Sequence, residues 1–346
     1  MSNYLIGDYI RDTRLRRGYT QEQLSFGICT TASLSRIETG AQAPGKHILD
    51  ALMERLGIGD KIFDVLVSKE DMVIFEKIQD VTRSIAAGEE GTQQLKENIQ
   101  GLEQLMEKKH QNNLYMQYLT FAKGILKKRN GGSFDEIMEM FMSAIHMTLP
   151  NFDGVTPNGN NLLTFHEIAI IDNIAILYAK QKMMKEALGL GYWLKEYMEK
   201  TFIDGKEKAA RYPMILYNLC NWLGNLERYE ESEQVAETGV NFCIQYGNLV
   251  AFPRLLFNKG CALASLGKRE EAVKIFQQSA AIFLATRQER MARMTVELCK
   301  EHYDIDVNYI FNSTLQDPPK RSMHSPRHFL QRMLQRPVRR LLRGPV

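Results

Sequence analysis

Ile6, Ile10 and Leu15 recur at a spacing that places them on one side of a helix, and Gly18 marks its end. Thr20 with Gln23 three residues on is a capping-box signature, so a second helix starts at Thr20 and carries Leu24 inward until Gly27. Thr30 caps a third, with Leu34 and Ile37 inward and Gly40 beyond its end near Thr39. After a turn at "APGK", Ile48, Leu49, Leu52 and Leu56 line a fourth helix before Gly57. The alternation of a strand is absent from these first sixty or so residues.

From about residue 60 to residue 304 the chain is helix-compatible almost throughout, and it repeats itself. "LYNLCNWLGNLERYEESEQV" from Leu216 aligns with "LFNKGCALASLGKREEAVKI" from Leu256 at an offset of 40, and "IDNIAILYAKQKMMKEALGL" from Ile171 aligns with the first at an offset of 45. Gly260 and Ala272 are small where paired helices must approach closely; Cys220 and Ser232 take those places one repeat earlier. A unit with a looser turn at Gly131–Gly132 lies upstream, another falls over 72–108, and residues 289–303 form a closing helix. The predicted class is all-α.

Two short helices joined by a glycine-containing turn are a helix-turn-helix, whose second helix enters the DNA major groove with its N-terminal residues towards base edges. Leu34 and Ile37 hold that helix to the domain, leaving Thr31, Ala32, Ser33 and Arg36 facing outward. Small hydroxyls approach base edges closely, an alanine methyl meets a thymine methyl, and arginine reads guanine.

Residues 6–57, with "IGDYIRDTRLRRGYTQEQL" followed by "SLSRIETG", resemble the repressor-type helix-turn-helix family of phage and bacterial regulators. The resemblance implies that Gln21 binds a phosphate, that Arg14 and Glu38 form a structural ion pair, and that Thr31, Ala32 and Arg36 face bases, with Thr30 and Ser33 at the same DNA-facing helix start. The chain lacks the glutamines that many repressors carry at these outward positions, so an operator sequence does not transfer.

The repeats are similar to the tetratricopeptide repeat, a helical pair of about 34 residues; 253–284 is the copy nearest the pattern. Such arrays curl into a right-handed superhelix with a concave inner face. Helical spacing puts Met214, Tyr217, Asn218, Asn221 and Asn225 on that face in one repeat, Arg254, Phe257, Asn258, Cys261 and Ser265 in the next, and Ala169, Asp172, Asn173, Ile176 and Lys180 in the earlier one. Asn173, Asn218 and Asn258 then stand in register along one groove. Their amides suit the backbone of an extended peptide, while Tyr217, Phe257 and Arg254 select side chains or a terminal carboxylate.

A DNA-reading head ahead of such repeats resembles the peptide-responsive quorum-sensing receptors of Gram-positive bacteria, the Rap, Rgg, NprR, PlcR and PrgX group. That resemblance implies a cytoplasmic homodimer on a double-stranded operator whose repeats sense a short signalling peptide. A regulator whose repeats bind a protein partner, and a constitutive DNA-binding dimer, are the alternatives. The expected domains are the head at 1–58, a linker and hinge at 59–71, the repeat domain at 72–304 and a basic tail at 305–346.

Composition refines this picture in three places. From Lys320 onward the chain has one lysine, seven arginines and no acid, so the overall +3 hides a mildly acidic body. Residues 1–46 hold six basic and four acidic groups, an excess small enough that DNA affinity requires two copies. The tail reads as disordered or as foreign to the ancestral domain, with a basic amphipathic helix for membrane or nucleic acid as its other reading. No run of apolar residues is long enough for a membrane span, and the five cysteines lack metal-ligand spacing, which leaves reduced, mostly buried thiols. A phosphate-binding glycine loop, a nucleophile elbow and a zinc-protease helix are all missing, so neither catalysis nor a cofactor is expected.

Overall fold

The computed structural model describes residues 6–59, 69–107, 113–155 and 161–307. Most of the expected linker, residues 60–68, and nearly all of the basic tail, residues 308–346, lie outside the described residues. Every regular element among those described is helical. Two compact units divide the chain, Met1–Glu207 and Lys208–Val346.

The first unit opens with α1 (Ile6–Arg16), α2 (Gln21–Ser25), α3 (Thr31–Glu38) and α4 (Lys46–Arg55). Their ends are set by the local chemistry that the sequence carries. Thr20 Oγ1 accepts from Gln23 N–H at 3.1 Å while Thr20 N–H donates to Gln23 Oε1 at 2.9 Å. Thr30 accepts from Ser33 N–H at the start of α3. Gly18, Gly27, Gly40 and Gly57, the four expected stops, all have positive φ. Ile10, Leu24, Leu34, Ile37, Leu49, Leu52, Met53, Leu56 and Ile58 close on one another as the core of this bundle.

The same unit continues through three helical pairs. These are α5 (Lys69–Ala86) with α6 (Thr92–Glu107), α7 (Asn113–Arg129) with α8 (Phe134–His146), and α9 (Phe165–Lys180) with α10 (Met184–Lys200). A Cβ at Gly124 on α7 would come 2.7 Å from the Phe141 ring on α8, so a small residue sets the approach of this pair. Capping boxes start α8 at Ser133 and α9 at Thr164.

The four-helix head and these pairs fall in one compact unit. The reason is a seam of buried polar contacts. Arg55 Nη2 lies 3.2 Å from Glu167 Oε1 with both side chains fully buried. Phe165 N–H donates to Glu54 Oε2 at 2.7 Å. Asp204 N–H donates to the Gly57 carbonyl at 2.6 Å. Gly57 has φ 67°, and a Cβ there would sit 2.0 Å from the Phe202 carbonyl oxygen. Gly27 likewise meets the Thr148 carbonyl, where a Cβ would come to 2.1 Å. Both glycines therefore answer to two demands at once, a left-handed turn and a backbone pressed against it.

The second unit holds α11 (Gly205–Asn225), which begins at the division, α12 (Tyr229–Tyr246), α13 (Phe252–Ser265), α14 (Arg269–Ala285) and the closing α15 (Glu289–Tyr303). The small positions of the repeat meet as the alignment requires. A Cβ at Gly260 would lie 2.6 Å from the Phe276 ring, and Ser232 Oγ donates to the Cys220 carbonyl at 2.7 Å one repeat earlier. Leu263, Ala272, Phe276, Ala280, Val296 and Cys299 form a core that extends to Ile305 and Val307. The added length seen in the repeat offsets resides in the helices: α11 has 21 residues, α12 has 18 and α14 has 17. All five cysteines are free thiols, and Cys220, Cys243 and Cys299 are buried.

Candidate functional site

Among the DNA-facing residues, Thr31, Ala32 and Arg36 are exposed on α3, whose opposite side buries Leu34, Ile37 and Glu38. Thr30 is exposed but engaged. It caps α3, and its hydroxyl lies 2.9 Å from that of Ser33, which is half-buried. These two hydroxyls hold the helix start in shape, leaving Thr31, Ala32 and Arg36 as the open row.

That row is fixed from behind. Arg14 Nε donates to Glu38 Oε1 at 2.6 Å and Nη2 to Oε2 at 2.9 Å, a bidentate pair between α1 and α3 with side chains 9% and 2% exposed. Arg14 Nη1 also donates to the Tyr19 carbonyl at 2.9 Å. Hydrogen bonding to Glu38 raises the Arg14 pKa against the opposing effect of burial. Gln21, the first residue of α2, donates from Nε2 to Glu38 Oε2 at 2.8 Å. One carboxylate thus positions α1, the start of α2 and the end of α3.

The repeat residues divide by depth. In the first unit Asn173 is half-buried, donates to the Ala169 carbonyl at 3.0 Å and accepts from Lys128 Nζ at 3.2 Å. Sequence reasoning missed Lys128, since a lysine in the run "KKR" at a helix end reads as solvated. Burial pushes its pKa down to about 8, opposed by nearby Asp172.

In the second unit Asn218, Asn221 and Asn225 are half-buried along α11, and Arg254 and Phe257 half-buried along α13. Asn258 is buried, and its amide donates to the Tyr217 carbonyl at 3.3 Å and to Cys220 Sγ at 3.1 Å. It ties α13 to α11 instead of standing open. Tyr217 is also buried; desolvation pushes its phenol up to about 12, against the pull of the Arg254 charge. Phe257 packs on Phe276 with ring centroids 5.7 Å apart. Arg254 Nε is buried and has no hydrogen-bond partner among the described residues, an orphaned donor of the kind that native proteins avoid unless something else satisfies it.

With this geometry in place, residues 10–61 match the helix-turn-helix family model. The head is a helix-turn-helix domain. Among solved structures the chain is similar to Bacillus thuringiensis PlcR in complex with the peptide PapR7 and DNA, at 19% identity and a TM-score of 0.56, covering 84% of this chain and 98% of that one. The apo form of Bacillus thuringiensis PlcR matches with a TM-score of 0.53 over the same shares of the two chains, again at 19% identity. The apo competence regulator ComR from Streptococcus vestibularis matches at 13% identity and a TM-score of 0.50, over 87% of this chain and 98% of that one. At these identities the likeness establishes a shared fold, a helix-turn-helix domain followed by helical repeats. No curated protein matches the chain.

The chain carries a helix-turn-helix domain ahead of helical repeats, in the fold that PlcR also has. Among the described residues no cluster of His, Cys, Asp or Glu is assembled to hold a metal, and no helix is long and apolar enough to cross a membrane.

Proposed function

We propose that this chain is a transcription regulator that binds an operator as a homodimer, reading bases with α3, and that its repeats take a short signalling peptide that alters operator affinity. The open row of Thr31, Ala32 and Arg36, braced from behind by Glu38, carries the DNA half of the reading. Two protomers present two such rows to two half-sites, and a peptide that changes their separation changes affinity without touching DNA. PlcR, which shares the fold, has been solved with both a peptide and DNA.

Arg36→Ala is expected to weaken operator binding by about 1–3 kcal/mol, roughly tenfold or more, and to relax preference at one base position. Footprinting against a library of half-site variants measures both. Full protection at the wild-type concentration with unchanged base preference would remove Arg36 from the contact.

For the peptide half, the buried Arg254 Nε of α13, whose guanidinium charge acts on Tyr217 of α11, is the supporting observation. A terminal carboxylate would supply the missing acceptor through a charge-assisted bond. Asn218, Asn221 and Asn225 would bond the peptide backbone, and Asn258 would act by holding α13 on α11. Synthetic heptapeptides with a free C-terminal carboxylate are the probes. Calorimetry should show a loss of roughly tenfold for Asn218→Ala, and a similar loss when the peptide's carboxylate is amidated. In Arg254→Met the amidated and free peptides should bind alike. Undiminished sensitivity to amidation in that variant sinks the assignment.

A further inference from the structure

A cavity of about 510 Å³ opens within the first unit, and none of the α3 row lines it. One wall is the turn between α1 and α2 with Arg17, Tyr19 and Gln23; the other is α10 with Trp193, Tyr197 and Lys200. Its volume lies in the range of small-molecule sites. Trp193 and Tyr197 both line the cavity and are stacked on each other, with ring centroids 5.3 Å apart and planes at 19°, so the pair forms a rigid aromatic wall with one outer ring face and its edges left for an occupant. Tyr197 is fixed in place because its hydroxyl accepts from Leu163 N–H at 2.7 Å.

Arg17 supplies the polar half. Its guanidinium lies 3.9 Å from the centroid of the Phe202 ring, and its Nη1 is buried with no hydrogen-bond partner. Arg14, three residues earlier on the same chain, is by contrast engaged with Glu38 and Tyr19, while among the described residues no acceptor meets Arg17 Nη1. Burial accordingly lowers its pKa. Lys200 is the second cation, already paired with Glu196. An orphaned guanidinium donor next to a stacked aromatic wall is the complement of a flat ring bearing one negative group.

The geometry points to a small-molecule site between the α1–α2 turn and α10 that takes a planar aromatic carboxylate, with the ring against the Trp193–Tyr197 stack and the carboxylate on the Arg17 guanidinium. Gln23 belongs to the capping box of α2, and Gln21 is the first residue of the same helix. An occupant would therefore brace the start of α2 against α10, and operator affinity and occupancy would be linked reciprocally. This site is independent of the peptide reading and stands or falls without it.

The test uses the full chain, with naphthoate as the probe and neutral naphthamide as its uncharged twin. Calorimetry should give saturable one-to-one binding of naphthoate and binding of naphthamide roughly tenfold weaker. Arg17→Met and Trp193→Ala should each weaken naphthoate roughly tenfold or more. Trp193→Phe should retain most of the affinity, and Asn218→Ala all of it. Equal affinity for the two probes on the unaltered chain, or no saturable heat at millimolar naphthoate, would overturn the proposal without recourse to any variant. Unchanged affinity in folded Arg17→Met would overturn it as well.

Discussion

Exchange of Arg55 for methionine is expected to remove about 3–5 kcal/mol of stability from the first unit. Arg55 is 1% exposed, and its guanidinium serves three acceptors: Glu167 at 3.2 Å, the Leu24 carbonyl at 3.4 Å and the Phe26 carbonyl. Methionine fills much of the volume and satisfies none of these. Glu167, itself fully buried, would keep only the capping bond to Thr164 N–H, at 2.6 Å, for its charge. Urea denaturation with separate probes for the head and for α9–α10 measures the loss and shows whether both melt together. The double variant Arg55→Met with Glu167→Gln should recover a large part of it, since no uncompensated charge then remains inside. A loss of less than about 1 kcal/mol in the single variant would mean that water reaches Glu167 and that the seam is not dry.

Arg55 also marks where sequence reading stops. In "ALMERLG" the apolar residues Leu52 and Leu56 are legible as the inner face of α4, and Glu54 and Arg55 between them read as solvated. Their partners, Phe165 and Glu167, stand more than a hundred residues away at the start of α9, and no local pattern links the two places. Pairing across that distance holds the head against the start of α9.

Short-range chemistry was legible. The capping box at Thr20, the cap at Thr30 and the glycine stops each involve residues within a few positions, and the helices of the head begin and end accordingly. Self-similarity found the pairs at α11–α12 and α13–α14, because stacking reuses the same small positions, seen at Gly260 and Ser232, and the need of an array for a cap gave the closing α15. Helical spacing also gave the direction of the asparagines but not their depth. Asn258 and Asn218 occupy equivalent repeat positions. Yet Asn258 is buried against the carbonyl of Tyr217 and Cys220 Sγ, while Asn218 is half-buried. What separates them is the neighbouring helix, which a one-dimensional period does not contain.

The Glu38→Ala variant should lose stability and DNA binding together, because one carboxylate carries both. Its removal leaves Arg14, 9% exposed at the side chain, with only the Tyr19 carbonyl, and deprives Gln21 Nε2 of its acceptor. Breaking a buried pair from one side costs about 3–5 kcal/mol. In a bundle as small as α1–α4 that is a large share of what holds it folded. Thermal melting followed by a probe in the head should show the drop. Glu38→Gln separates the two consequences: an amide still offers an acceptor but lacks the charge, so it should recover part of the stability. The double variant Arg14→Met with Glu38→Leu should approach wild-type stability, since no charge is left unpaired. That same variant should still bind the operator poorly, because Gln21 has lost the carboxylate that aims it. Wild-type melting in Glu38→Ala would show the pair to be dispensable, and wild-type operator affinity in the stable double variant would show that Gln21 needs no such anchor.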